Sequence, residues 1–157
     1  MTAIRPANSS DLEAVLALHR DFFAEDGYEF REEESRANLA RLLAEPGLGR
    51  VFAMDEEGTV IGYLVLTFGF SLEFGGRDGL VDELYVSPGH RGRGLGTRAL
   101  DAAEAACREQ GIRAVHLVVE RYKDGAQALY RRMGFVAHQR DVMTKRIGEG
   151  YAPAGKI

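Results

Sequence analysis

The chain has 157 residues, 45% of them hydrophobic and 28% charged, and a formal net charge of -4 at pH 7. That length and balance suit one globular domain with its own core and exclude a fibrous or largely disordered chain. The acidic balance argues against a general nucleic-acid binder, which needs a basic field to displace counterions, and no run of eighteen or more apolar residues marks a membrane span.

In chain order, TAIRP (2–6) predicts a short strand, and NSSDLEAVLALHRDFFAE (8–25) a helix with Asn, Ser and Asp as caps and Leu12, Val15, Leu16, Leu18 and Phe22 at helical spacing. Gly27 breaks the pattern. REEESRANLARLLAE (31–45) resumes it with Leu39, Leu42 and Leu43 until Pro46 and Gly47 stop the helix. RVFAM, the turn DEEG and the β-branched and aromatic run TVIGYLVLTFGF predict a hairpin over 50–70. The glycine-rich loop FGGRDG leads to the strand LVDELYV (80–86), which ends at Ser87-Pro88-Gly89. Leu95, Ala99, Leu100, Ala103, Ala106 and Cys107 then form one apolar face of a helix ending near Gly111. IRAVHLVV (112–119) reads as a buried strand, DGAQALYRRM (124–133) as a short helix stopped by Gly134, and FVAHQRDVMTKRI (135–147) as a final strand. Residues 148–157, rich in glycine, read as a loose tail. The order βααβββαβαβ, with no repeat and no internal linker, predicts an α/β (α+β) domain over 1–147: a mixed sheet with helices packed on it.

One cysteine, Cys107, permits no internal disulfide and suits a reducing compartment, and the N-terminus has no apolar stretch of signal length, so a cytoplasmic location is expected. The histidines at 19, 90, 116 and 138 lie far apart with no ligand spacing, which predicts no sequence-local metal site and makes each a surface or packing residue.

Between the predicted strand 80–86 and the helix after it stands RGRGLG. Its glycines remove Cβ atoms that would block a ligand, so several backbone N–H groups converge, and the helix N-terminus adds its positive dipole end. A phosphate or pyrophosphate suits that cradle. A P-loop is excluded because no Lys follows the glycines, and a dinucleotide fingerprint because Gly92, Gly94 and Gly96 are followed by Thr97 where the last glycine should fall.

Arg91-x-x-Gly94-x-Gly96 after LYVSP resembles the acetyl-CoA signature of the GNAT superfamily of N-acetyltransferases, and ALYRRMGF resembles that family's second motif. The order of elements along nearly the whole chain is similar to the family's fold. The resemblance implies a mostly antiparallel sheet with a splayed parallel strand pair and helices on both faces. It also implies acetyl-CoA as cosubstrate, held by Arg91, Gly92, Arg93, Gly94, Leu95, Gly96 and Thr97 around the pyrophosphate and by the backbone of Leu84 and Val86 along the pantetheine arm. Tyr130, at the position of the family's tyrosine, is implied as the acid for the leaving thiolate, although it also suits a core position on a short helix.

For the base or amine binder, VDELYV offers Asp82 and Glu83. Alternation sends them to opposite faces unless the strand bulges; Asp82, expected to share a face with Leu84 and Val86, ranks first and Glu83 second. The segment EDGYEFREEE (25–34) carries six carboxylates. Since the family's link between its first two helices forms a wall of the acceptor site, Glu25, Asp26, Tyr28 and Glu29 are expected to meet a cationic amine, while the same charges also suit a solvated helix start. The stretch from IGYLVLTF to VDELYV is similar to diamine and spermidine N-acetyltransferases. Acetylation of a primary amine by direct transfer follows, since Cys107 sits on a core face and no covalent nucleophile stands out. A protein or peptide amine as acceptor, and a CoA-binding sensor without turnover, stay open; Lys123, where the family often has Asn, favours the sensor. No nucleic-acid or membrane partner is expected, and exposed sheet edges are compatible with a homodimer.

Overall fold

A computed structural model describes residues 1–148. Five strands, β1 (Thr2–Pro6), β2 (Gly49–Glu56), β3 (Thr59–Ser71), β4 (Gly76–Val86) and β5 (Val115–Leu117), lie side by side in chain order. Neighbours are antiparallel except β4 and β5, which run parallel. Helices α1 (Leu12–Asp26) and α2 (Glu32–Ala44) cover one face, and α3 (Leu95–Glu109) and α4 (Asp124–Arg132) the other.

Alternation along β3 decides which side chain meets which layer. Tyr63 and Val65 join Val15 and Leu18 of α1 and Val51 of β2, whereas Leu64 and Leu66 join Met54 and the Leu95, Ala99, Leu100, Ala103 and Cys107 stripe of α3. A strand covered on both faces reads as the continuous apolar run that this segment shows. Cys107 is buried in that core, as its place on the helix predicts. The entry to α1 is fixed by Asn8, whose side chain accepts from the Ser10 N–H while Asp11 accepts from the Asn8 N–H. Arg5 grips Asp11 with two hydrogen bonds of 2.9 Å and so ties that cap to β1. Gly27, at φ 74°, ends α1.

Two boundaries and one element differ from expectation. β4 begins at Gly76, inside the segment expected as loop, because Phe70 to Leu66 of β3 supply it with partners from Arg77 onward. β5 is three residues long rather than eight. No strand forms over 135–147: four polar residues in a row, His138 to Asp141, break the alternation, and β5 is too short an edge to carry a ladder. Instead Arg140 clasps Glu73 at 2.8 and 3.0 Å, and Val136, Val142, Met143 and Ile147 stay exposed. The expected tail lies, apart from Gly148, outside the described residues. Among the described residues, no helix is long and apolar enough to cross a membrane.

Leu64 is fully buried between the layers, whereas Leu72 is 88% exposed. Leu64→Ala is expected to lower unfolding free energy by about 2–5 kcal/mol in denaturant titrations, and Leu72→Ala by less than about 0.5 kcal/mol.

Candidate active site

β4 and β5 share only three residue pairs, the last of them Val81 with Leu117. β4 continues to Val86 on β3 alone, so over residues 82–86 its other edge has no strand partner. This fork is the splay expected of the parallel pair, and it exposes backbone donors and acceptors that an extended ligand can use as a strand would.

The turn after β4 supplies the second feature. Gly92 and Gly94 have φ of 74° and 75°, a left-handed conformation that side chains resist, and a Cβ on either would meet no protein atom within 4 Å. Both therefore border open space. Gly94 caps α3, and the first turn closes with Arg98 N–H to Gly94 C=O at 3.2 Å, which leaves the amides of Leu95, Gly96 and Thr97 before any intrahelical acceptor. A Cβ on Gly96 would stand 3.1 Å from Leu129 of α4 and 3.9 Å from Leu84, so this glycine is needed to bring α3, α4 and β4 together. Leu84 and Val86 themselves pack toward the α3 layer. Free amides, a helix N-terminus and two glycines beside open space fit a pyrophosphate.

The arginines of the turn are engaged. Arg91 donates to the Val86 carbonyl at 2.8 Å and to both oxygens of Glu25 at 2.8 and 3.0 Å, with its guanidinium 5.4 Å from the Tyr85 ring centroid. Arg93 pairs with Glu56, whose carboxyl is pulled down to about 2 by that contact and by the Thr2 hydroxyl.

On the α1 side of the fork the two acids of VDELYV come together. Val65 faces Glu83 and Leu66 faces Val81, so Asp82 is an extra residue, a β-bulge. The expectation that Asp82 shares a face with Leu84 and Val86 fails for this reason: the bulge turns Asp82 to the side of Glu83 and Tyr63. All three line a cavity of about 240 Å³ between α1, α2, β3 and β4, together with His19, Phe23 and Glu34. Glu83 is held there by the Tyr63 hydroxyl at 2.6 Å and by His19 Nδ1 at 2.8 Å. Burial and the Glu83 charge drive the Tyr63 phenol well above its usual range. Burial, reinforced by Glu83 and opposed by His19, pushes the Asp82 carboxyl up.

Of the four residues between 25 and 29 expected to meet the acceptor, none lines this cavity. Glu25 holds Arg91, Asp26 binds the Lys123 ammonium at 2.8 and 2.9 Å, Tyr28 donates to Glu120 at 3.0 Å and Glu29 pairs with Arg31. Burial and Glu120 push the Tyr28 phenol up to about 12. These contacts brace the α1–α2 link against both arms of the fork. Only Glu34 of the acidic run reaches the cavity. Tyr130 lies on the other side of the sheet, its ring 5.9 Å from Phe135, in a cleft that also borders Val81 and Leu117; burial raises its phenol.

The acetyltransferase (GNAT) family model matches residues 12–135. The chain belongs to the GNAT acetyltransferase family. It is 33% identical over 147 residues to a mycothiol acetyltransferase of Propionibacterium freudenreichii, covering 92% of this chain and 44% of that one. It is 30% identical over 138 residues to an L-methionine sulfoximine/L-methionine sulfone acetyltransferase of Pseudomonas aeruginosa, covering 85% of this chain and 79% of that one. The chain thus spans less than half the length of the first relative and most of the second. Among solved structures, an integron cassette protein from the mobile metagenome of Cole Harbour Salt Marsh superposes with a TM-score of 0.84 at 31% identity, covering 94% of this chain and 92% of the other. The mixed sheet with its parallel pair is accordingly a fold that this GNAT chain shares with solved neighbours.

His19, Tyr63 and Glu34 were not legible as site residues. They sit 44 and 15 positions apart in the chain, and no spacing rule joins them. The bulge carries no local mark either, since VDELYV contains no glycine.

Gly94→Val fills the open side of the turn and strains a left-handed position, so acetyl-CoA affinity measured by calorimetry is expected to fall at least about tenfold.

Proposed function

We propose that this chain transfers the acetyl group of acetyl-CoA to the primary amine of a small cationic molecule, by direct attack with both substrates bound. The observation that carries the reading is the fork: the cofactor-type turn stands at the end of β4, and the acid-lined cavity abuts the first residues past the last β4–β5 pair. Acetyl-CoA, when bound, supplies an activated thioester. The amides of residues 92–97 would hold its pyrophosphate and the unpaired edge of β4 its pantetheine arm, while fixed backbone donors at that edge would stabilise charge developing on the reacting carbonyl.

A protonated alkylamine of pKa about 10.4 is neutral in roughly one molecule per few thousand at pH 7, so the site must first bind the ammonium and then strip it. Asp82 is suited to binding: it is exposed at the cavity and, unlike Glu83, makes no hydrogen bond or ion pair among the described residues, so an arriving cation can reach it and offset the charge of its neighbour. Glu34 adds to the field at the α2 wall. Of the two protons the ammonium gives up, one leaves to solvent and the other ends on the CoA sulfur. Tyr130, kept protonated by burial and facing the fork from the α3 side, is suited to deliver that second proton. The relatives are named for acceptors that are small amines or amino-acid analogues, which supports a small-molecule acceptor in preference to a protein. Lys123, the residue that most favours a sensor without turnover, is neutralised by Asp26 and leaves the acid cavity untouched.

Release of CoA thiol from acetyl-CoA against spermidine, short diamines, aminoglycosides, amino acids and lysine peptides tests this. Turnover is expected with the compact cationic amines; acetyl-CoA binding with no turnover across the panel would leave a CoA-binding module instead. Asp82→Asn is expected to raise the amine KM at least about tenfold with a smaller change in kcat. Tyr130→Phe is expected to lower kcat roughly ten- to a thousandfold with acetyl-CoA affinity preserved.

A further inference from the structure

Helix α1 brings an imidazole to the acid cavity. His19 Nδ1 lies 2.8 Å from Glu83 Oε1, the same oxygen that accepts from the Tyr63 hydroxyl at 2.6 Å. An ionised carboxylate can only accept, so the neutral imidazole carries its hydrogen on Nδ1 and leaves Nε2 as a lone-pair acceptor. Among the described residues no hydrogen bond engages Nε2, and the ring, packed on Phe23 at 4.1 Å between centroids, borders the cavity beside Asp82. The His19 and Glu83 side chains are each 17% exposed, enough for a proton to escape to water. A carboxylate behind Nδ1 orients the ring and stabilises the imidazolium that forms when Nε2 takes a proton.

We propose that His19 Nε2 takes the first proton from the bound ammonium, with Glu83 and Tyr63 as positioning residues, a role that rests on the acetyltransferase reading above. The N–H bond of the ammonium breaks, its electron pair stays on nitrogen to attack the thioester, and the proton passes from Nε2 to solvent while the Nδ1 hydrogen remains on Glu83. The ionisable groups that face the ring across the cavity are Asp82 and Glu83 on β4, Tyr63 on β3 and Glu34 on α2. Glu83 Oε1 receives both donors, His19 Nδ1 and the Tyr63 hydroxyl, which fixes the carboxylate behind the ring.

The imidazole must be neutral to accept, so the wild-type kcat/KM is expected to fall with decreasing pH in a step that His19→Gln lacks. With an amine the wild type acetylates, His19→Gln is expected to lower kcat at pH 7 by about 10²–10⁴ with amine KM changed less than about threefold, and its kcat to climb about tenfold per pH unit as solution supplies free amine. Acetyl-CoA affinity, unchanged in the variant, shows that it is folded. Added imidazole is expected to restore part of kcat in His19→Ala. Independently of turnover, ¹⁵N NMR of the labelled protein is expected to show the Nδ1–H tautomer of His19. A wild-type pH profile in His19→Gln, a raised amine KM with unchanged kcat, or the Nε2–H tautomer each overturns the role. Wild-type protein that binds acetyl-CoA and acetylates no amine overturns the acetyltransferase reading, and this role with it.

Discussion

β4 keeps β3 along its whole length but loses β5 after Val81, and the rest of the molecule is arranged around the edge left open. A central strand with unanswered backbone groups is costly unless something occupies it. The fold meets that cost at the C-terminal end, where Arg91 donates to the Val86 carbonyl at 2.8 Å. From Asp82 to Tyr85 the edge away from β3 has no strand partner among the described residues. The turn at 91–94 and the start of α3 lie where β4 gives out, so a binding edge and an anion cradle are continuous because one strand is longer than its neighbour.

A bulge turns that edge into a chemical site. One extra residue in β4 places two adjacent carboxylates on one side of the sheet, in a cavity whose other walls are largely apolar. Two acids in such surroundings cannot be treated alike. Glu83 accepts from a phenol and contacts an imidazole, whereas Asp82 has no such partner among the described residues and faces its neighbour's charge. The difference in environment comes from the fold, and neither residue type announces it in the sequence.

Most of the elements were legible because apolar periodicity in 2–133 is strong, and the turn was legible because its glycines are spaced for a purpose. The final strand was not, since apolar residues at 135–137, 142–143 and 147 suggest β structure while the ladder they need is missing from the adjacent edge. The partners of the acidic segment were hidden for a related reason. Glu25 and Asp26 carry charges suited to a cationic ligand, yet their partners, Arg91 and Lys123, stand 66 and 97 residues away and are brought to them only by the tertiary fold. His19 is hidden in the same manner: beside Leu18 and before Phe22 it passes for one more residue on a packing face.

Helix α1 is clamped to both arms of the fork at its C-terminal end, by Glu25 to the turn beyond β4 and by Asp26 to the start of α4. His19 and Asp26 are seven residues apart, two turns along one face and about 10 Å along the axis. A helix of this length moves as a rod. Any widening of the fork must therefore either break one clamp or swing α1, and swinging α1 shifts the imidazole relative to Glu83. Through these two ion pairs a change in fork width would carry along α1 toward His19.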